Sequence, residues 1–177
     1  MRFLGSILLA LPLLICLESS SYALSKQQYV CPNTLNLLIE RMLRDLPSYA
    51  NRVIQRSRDS FKTDPLKTYV LAAGASDFQP LALKNRQYKS RLNDQPQQVF
   101  FTTLERSFAQ HGFQDSQNYH WLFLSNLGGS WKLVMLYTRL GSFNSQLTSS
   151  PPEENSEGII GQAISFWLRD CQTGNLR

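Results

Sequence analysis

One stretch, residues 119–139, constrains the fold more than any other part of the chain. It reads YHWLFLSNLGGSWKLVMLYTR, in which two segments rich in aromatic and aliphatic residues flank turn-forming residues at 126–130. Aromatic and β-branched residues favour strands, and Gly128 and Gly129 tolerate the positive φ angles of a tight turn. The stretch therefore predicts a β-hairpin at the centre of an antiparallel sheet.

Two further strands are expected before this hairpin. Residues 98–108, QVFFTTLERSF, could place their aromatic residues on one face of a helix or on one face of a strand. The β-prone VFFTT core favours the strand, and a hairpin needs a third strand for stability. Residues 68–73, TYVLAA, predict another strand that ends at residues 74–77. Residues 109–118 are then expected to be a connection.

Helices are expected at both ends of the mature chain. Pro32 suits a first helical turn, and Pro47 is expected to break this helix and leave residues 48–58 as a second short one. Asn155 or Ser156 is expected to cap the last helix. Apolar residues recur at three- and four-residue spacing in both regions, at Leu35, Leu38, Ile39, Met42, Leu43 and Leu46, and at Ile160, Ala163, Ile164, Trp167, Leu168 and Cys171.

These elements together predict the fold class. We expect a single α+β domain over residues 24–177, with an antiparallel sheet of about four strands and the N-terminal and C-terminal helices packed on one face. Residues 84–98 are expected to form an exposed basic loop. Residues 141–155, rich in Ser, Asn, Gln and Pro, are expected to form a long loop that is either functional or mobile.

The first residues have the pattern of a secretory signal peptide. Arg2 precedes an apolar run at residues 3–17, and Ser21 and Ala23 suit a signal peptidase with cleavage after Ala23. The alternative is an uncleaved anchor, although the run is shorter than the roughly 20 residues that a spanning helix needs. The sequence after residue 23 has no second apolar run of that length, so we expect no transmembrane segment in the mature chain.

The cysteines indicate an oxidising compartment. Removal of residues 1–23 takes away Cys16 and leaves Cys31 and Cys171. An even number of cysteines in an exported chain favours a disulfide, with two unrelated buried thiols as the alternative. The bond would join the start of the first helix to the end of the last one.

Three segments carry a resemblance. They are GQAISFWLRDC near the C-terminus, TTLERSF and YHWLFL. They look like segments of small exported cyanobacterial proteins of unknown function, and the similarity covers most of the mature chain. The resemblance implies a periplasmic or thylakoid-lumen location and assigns no chemistry.

The sequence shows no strong catalytic signature. A nucleophilic triad could be drawn from Ser107 or Ser125 with His120 and Asp115, but no GxSxG motif orders these residues. The acidic residues within 153–157 lack the spacing of a calcium-binding loop. We therefore assign no catalytic residue, metal or cofactor, and we lean against an enzyme.

The positive charge is the feature that most suggests a function. Basic residues exceed acidic ones by five, and they concentrate in residues 41–67 and 84–91. Such a surface suits anionic lipid head groups or an acidic protein partner, whereas export disfavours nucleic acid. The residues expected to form this basic face are Arg52, Arg56, Lys84, Arg86, Lys89 and Arg91.

The preferred function is therefore an exported, non-enzymatic accessory or interaction protein that acts through its basic face, peripherally on a membrane where the partner is lipid. The alternative is a small exported hydrolase or ligand-binding protein with a pocket under residues 141–155. Clustering of His120, Glu105 and Asp115 around one cavity would favour that alternative. A third possibility is a structural subunit that uses the small residues of its last helix for contact.

Overall fold

The computed structural model describes residues 30–60, 67–79, 96–109, 112–141 and 151–176. The elements are α1 (Leu35–Ser60), β1 (Lys67–Asp77), β2 (Gln97–Ala109), β3 (Gly112–Leu127), β4 (Ser130–Arg139), β5 (Glu153–Glu154) and α2 (Ile159–Gln172). They form an antiparallel sheet in the order β1-β2-β3-β4-β5 with both helices packed against it. The predicted α+β class is confirmed. The fifth strand arises because Glu153 and Glu154 pair with the edge of β4 instead of belonging wholly to a loop.

The central hairpin is confirmed. β3 pairs with β4 from Tyr119 opposite Arg139 to Leu127 opposite Ser130, and the two turn glycines between them have φ angles of 61° and 85°. Left-handed φ angles at both central residues are what a two-residue hairpin turn requires. The strand expected at 98–108 is also confirmed as β2.

Residues 109–118 are not a connection, so that prediction is wrong. β3 begins at Gly112, and its first seven residues pair in unbroken register with β2, starting with Gly112 opposite Ala109. The sequence of this part does not have the pattern of a strand, because Phe113 is the single large apolar residue among residues 112–118. The strand is held by its partner, since Phe113 packs on Phe108 and Asp115 pairs with Arg106.

The sheet has one buried and one half-exposed face. The inner face carries fully buried side chains from β2, β3 and β4, and these join the apolar stripes of both helices in one core. They include Val99, Phe101, Leu122, Leu124 and Leu136. The outer face carries the alternate residues, including Phe100, Tyr119, Trp121, Phe123 and Tyr137. Alternation along strands, with helices on one side, explains this asymmetry.

α1 does not break at Pro47, so the prediction of two short helices is wrong. The helix runs without interruption to Ser60. Pro47 cannot donate a hydrogen bond to the carbonyl of Leu43, which costs the helix part of its backbone pairing. Beyond Pro47, however, Tyr49, Ala50 and Val53 continue the buried stripe. Because each fully buried large apolar side chain stabilises by about 1.5–3 kcal/mol, the extended stripe offsets the loss at proline.

The start of α2 also differs from the expected capping. Gly158 is the N-cap and no side chain caps the helix. The Ser156 hydroxyl instead accepts a hydrogen bond of 2.9 Å from the Leu136 N–H, and the Asn155 N–H donates to the Leu136 carbonyl at 2.7 Å. These two residues therefore fasten the start of α2 to β4. The helix ends at Gln172, and Gly174 just beyond it has a φ of 68°.

β1 is longer than predicted and its outer edge is partly capped. It continues through the residues expected to end it, with register shifts after Val70 and after Gly74. The side-chain amide of Asn51 on α1 accepts from the Val70 N–H and donates to the Val70 carbonyl, both at 2.9 Å. An asparagine side chain thus satisfies the backbone groups that an edge strand leaves open.

Cys31 and Cys171 form the predicted pair. Their sulfur atoms lie 1.96 Å apart and the residues are 140 positions apart in the sequence. The bond links the segment before α1 to the last turns of α2. The signal peptide expected at residues 1–23, most of the basic loop expected at 84–98 and residues 142–150 of the long loop lie outside the described residues and stay predictions.

Reduction of the disulfide should destabilise the protein strongly. A cross-link that closes a loop of this length lowers the conformational entropy of the unfolded chain. This stabilises the folded state by about 4–5 kcal/mol. We expect the free energy of unfolding, measured by urea denaturation with and without reductant, to fall by about that amount. The Cys31→Ala/Cys171→Ala variant is the control, since its stability should not respond to reductant. Coincident curves for the oxidised and reduced protein would contradict the prediction.

Candidate functional site

The described part of the predicted basic face lies where α1 meets α2. Arg52 and Arg56 are on the C-terminal half of α1, and Arg169 of α2 joins them in lining one small cavity. We name these three residues the arginine cluster. Lys84, Arg86, Lys89 and Arg91 lie outside the described residues, so their position relative to the cluster stays untested.

Aromatic rings support the three guanidinium groups. The central carbon of the Arg52 guanidinium lies 3.9 Å from the centre of the Tyr49 ring. Those of Arg56 and Arg169 lie 5.8 Å and 5.1 Å from the centre of the Phe166 ring. A cation held over a ring face keeps its charge while losing conformational freedom. The cluster is therefore a partly ordered cationic surface contributed by both helices.

Asp170 is the carboxylate of this site. Its Oδ2 accepts a hydrogen bond of 3.1 Å from the Tyr49 hydroxyl, and its Oδ1 accepts from Arg169 Nε at 3.1 Å and Nη2 at 3.0 Å. Burial raises the pKa of the Tyr49 phenol, Arg52 lowers it and Asp170 raises it, so the hydroxyl remains a donor. One carboxylate against three guanidinium groups leaves the cluster with an excess of two positive charges.

The shape of the site decides what it can bind. The cavity between these residues holds about 30 Å³, which is the volume of about one water molecule. The Arg169 side chain, by contrast, is 63% exposed. The cluster therefore offers charge to a surface or an extended partner and lacks the room to enclose a small molecule.

Arg169 is absent from the basic face that the sequence predicts. A lone basic residue in α2 gives no charge cluster in the sequence. The helical spacing could nevertheless have indicated a contact with α1, because Arg169 lies three residues after Phe166 on the border of the buried stripe. Such a border position in a helix that packs on another helix can contact its neighbour.

His120 lies in the core instead of in a cleft. It is fully buried, its ring stacks on Phe101 with ring centres 4.7 Å apart, and its nitrogens contact Thr103 at 2.9 Å and Thr138 at 3.0 Å. Thr103 donates its hydroxyl hydrogen to Glu105 at 3.2 Å. Thr103 must then accept from His120 Nε2–H, and Thr138 donates to Nδ1. This network satisfies a neutral imidazole and leaves no free nitrogen for catalysis.

The residues of the possible triad are not brought together. Asp115 lies on the outer face, where Arg106 donates to it at 2.7 Å and 2.9 Å and lowers its pKa. His120 points to the inner face of the same sheet. Ser107 donates to the Gln114 carbonyl at 3.4 Å. Although Thr103 links Glu105 to His120, His120, Glu105 and Asp115 do not cluster around one cavity, which counts against the alternative of a hydrolase.

A larger open cavity does lie beside the end of the 141–155 segment. It has a volume of about 530 Å³ between β4 and α2. Its lining residues are Leu133, Val134, Ser156, Glu157, Gln162, Ser165 and Phe166. Glu157 is its one ionisable lining residue. The cavity has room for a small ligand.

Within residues 30–60, 67–79, 96–109, 112–141 and 151–176, no group of three or more His, Cys, Asp or Glu side chains could hold a metal ion. Over the same ranges, no helix is long and apolar enough to cross a membrane.

Comparison of the chain with family models, curated proteins and solved structures found no match. The resemblance to small exported cyanobacterial proteins therefore stays a prediction. The assignment of function depends on the site geometry of this chain alone.

His120 should make the protein acid-sensitive. Burial lowers the pKa of His120 from 6.5 to about 3. As the pH falls, His120 therefore takes up a proton at a higher pH in the unfolded chain than in the folded protein. The contribution of neutral His120 to stability is complete above pH 6.5 and is lost as the pH falls towards 3. We expect the free energy of unfolding to fall by about 1.4 kcal/mol per pH unit in this window from His120 alone.

The measurement is urea denaturation over this pH range for the wild type and His120→Gln. Glutamine can still bond to both threonines but does not titrate, so the carboxylates contribute equally to both proteins. The variant should show a shallower loss of stability with acid. Parallel profiles would contradict the prediction, as would a wild-type imidazole NMR signal that titrates near its ordinary pKa.

Proposed function

We propose that the protein is an exported, non-enzymatic accessory protein that binds an anionic surface, either a membrane or an acidic protein partner, through its basic face. The observation that carries this proposal is the arginine cluster, in which Arg52, Arg56 and Arg169 line one cavity with a single carboxylate, Asp170, which is bonded to Arg169. The predicted basic residues at 84, 86, 89 and 91 would extend the same function.

Guanidinium chemistry supports an anionic partner. Arg presents planar, bidentate donors that match carboxylate and phosphate groups, and it retains charge at any physiological pH. Near an anionic lipid surface, each basic residue contributes about 1 kcal/mol of attraction, which decays within a Debye length. A few arginines therefore give reversible, salt-sensitive binding of the kind expected for a peripheral protein.

The disulfide supports export. Disulfides persist in oxidising compartments such as the periplasm and are rare in the cytosol. The pairing of Cys31 with Cys171 is what an exported chain would use, and it agrees with the signal-peptide pattern of residues 1–23. A periplasmic or lumenal location belongs to the proposal for the same reason.

A second candidate is binding of a small ligand in the cavity between β4 and α2. The observation that favours it is the volume of about 530 Å³ beside residues 155–157. This would be a binding function without hydrolysis, because neither His120 nor Glu105 lines the cavity. The arginine cluster remains the better-supported site, since its charge identifies a partner class.

Neutralising the arginine cluster should weaken binding to anionic vesicles. We expect Arg52→Gln/Arg56→Gln to lower the partition onto phosphatidylglycerol-containing vesicles about tenfold or more, because two contributions of about 1 kcal/mol are lost. Vesicle flotation at increasing salt measures this, and the variant should also show a weaker salt dependence. The matched control is Arg41→Gln/Arg44→Gln, which removes the same charge from the same helix outside the cluster. Equal losses in both variants would show a general charge effect and contradict the site.

The predicted loop provides a second test of the same face. Replacing Lys84, Arg86, Lys89 and Arg91 by glutamine should weaken association with the anionic surface and reduce its sensitivity to salt. The native membranes, washed with rising salt and blotted, provide the readout. Wild-type protein found only in the soluble fraction would argue against a membrane partner. If the four substitutions left the affinity unchanged, these loop residues would not contribute to binding and the prediction would be wrong.

A further inference from the structure

Two open cavities lie end to end between β4 and α2. The first is the cavity of about 530 Å³ beside residues 155–157. The second has a volume of about 240 Å³. It is lined by Trp131, Lys132 and Leu133 of β4 and by Ser165, Leu168 and Arg169 of α2. Leu133 and Ser165 line both cavities, so the two form one groove, which we name the β4–α2 groove.

The β4–α2 groove meets the arginine cluster. Phe166 lines both the first cavity and the small cavity of the cluster, and Arg169 lines both the second cavity and that of the cluster. Lys132 adds a further cation to the second cavity. Glu157, just before α2, lines the other end of the groove. The groove is therefore basic at the end where Trp131 lies and acidic at the opposite end.

The edge of β4 faces this groove with its backbone. The Trp131 carbonyl accepts a hydrogen bond from the side-chain amide of Gln172, near the end of α2. At the other end of the stretch, the Leu136 N–H and carbonyl bond to Ser156 and Asn155, in the segment before α2. Both attachments show that the backbone groups on this edge point towards α2.

Between these two attachments the edge of β4 is open in the part of the chain that the structure describes. β5 pairs only with Tyr137 and Thr138, so no described strand pairs with residues 132–135 on this side. Val134 is 43% exposed there. An open edge offers unpaired N–H and C=O groups to an added strand. Residues 131–136 extend over about 17 Å, the length of a strand of about five or six residues.

We propose that the β4–α2 groove binds an extended acidic segment of a partner protein, which adds to the edge of β4 as a further strand. The inference rests on the proposed function and names the acidic protein as its partner. Strand addition uses main-chain hydrogen bonds for affinity and pockets beside the edge for selection of side chains. Apolar side chains of the segment contact Leu133, Val134 and Phe166. Its acidic side chains lie beside Lys132 and Arg169.

A lipid bilayer is the less suitable occupant of this groove. Acyl chains supply no donors or acceptors for the backbone groups of an open strand edge, and such groups are costly to leave unsatisfied in lipid. The Glu157 carboxylate would also repel anionic head groups at one end of the groove. A peptide meets both conditions, because its backbone pairs with β4 and its acidic residues can be confined to the basic end.

Peptide selection on the intact oxidised protein tests the inference. The probe is a phage-displayed library of random octapeptides. We expect the selected peptides to combine alternating apolar or β-branched residues with two or more acidic residues near one end. Replacing those acidic residues by their amides should weaken binding, measured by fluorescence polarisation, about five- to tenfold, because exposed ion pairs are lost. Selection of peptides without acidic residues would overturn the inference.

A variant that fills the groove tests the site. Ser165 is exposed on α2 and lines both cavities, so Ser165→Trp places an indole in the groove without entering the core. We expect the affinity for the selected peptides to fall about tenfold or more, because contacts at the centre of an interface carry most of its binding free energy. The control is Gln114→Trp, which adds the same indole at an exposed position of β3 outside the groove. Equal affinities for the two variants would overturn the site.

N-methylated peptides test strand addition itself. Methylation of every second backbone nitrogen removes the donors on one edge of a strand, and the two alternating sets remove opposite edges. One set should abolish binding and the other should leave most of it, because only one edge of the peptide pairs with β4. Equal effects of the two sets would overturn the added strand.

Lys132→Gln tests where the acidic residues lie. This variant should bind the acidic peptides more weakly, with no further loss for the peptides whose acidic residues have been replaced by amides, because neighbouring groups are not additive. Equal losses for both kinds of peptide would overturn the placement of the acidic residues at the basic end.

Vesicle flotation of the wild type separates the inference from the proposed function. Binding to anionic vesicles with no acidic peptide selected would overturn the inference and leave a lipid surface as the partner. Acidic peptides that bind Ser165→Trp normally but fail to bind Arg52→Gln/Arg56→Gln would overturn the groove and retain the basic face. Absence of binding to both anionic vesicles and acidic peptides would overturn the inference and the proposed function together.

Discussion

The structure depends on covering a single face of the sheet with helices that come from opposite ends of the chain. The inner faces of β2, β3 and β4 are buried only because α1 and α2 lie over them and contact each other. The Cys31–Cys171 bond joins the segment before α1 to the last turns of α2. It therefore holds the two helices together. A covalent link between chain ends is most valuable in such a topology, since most of the core then lies within its loop.

The sequence predicted those elements whose apolar pattern is strong, and it failed where contacts with distant residues decide. The hairpin, β2 and both helical stripes could be recognised because burial repeats at the period of a strand or a helix. The first part of β3 could not, since its polar residues are ordered by pairing with β2. The predicted break at Pro47 was wrong because the sequence reveals the local backbone cost of proline. It does not reveal that Tyr49 and Val53 are buried against other elements. Ser156 has the composition of a cap, yet it bonds to Leu136 instead.

The candidate site was predictable to a similar degree. Charge density along α1 pointed to Arg52 and Arg56, but their proximity to Phe166 and Arg169 depends on how α1 meets α2, which no local pattern contains. His120, by contrast, is a candidate for chemistry in the sequence that the structure places in the core. A histidine between two aromatic residues could suggest chemistry, and only the positions of Thr103 and Thr138 in neighbouring strands identify it as a satisfied group of the core. Residue type identifies candidates, and tertiary contacts decide between them.

The continuity of α1 through Pro47 connects these observations to function. A helix broken at Pro47 would free residues 48–58 to turn away, and Arg52 and Arg56 would no longer share a face with Tyr49 opposite α2. Because the helix continues, it carries both arginines alongside α2. The same burial that overrides the proline in folding thereby sets the geometry of the cationic surface. Changes to the buried stripe after Pro47 should consequently affect binding as well as stability, although none of those side chains would touch the partner.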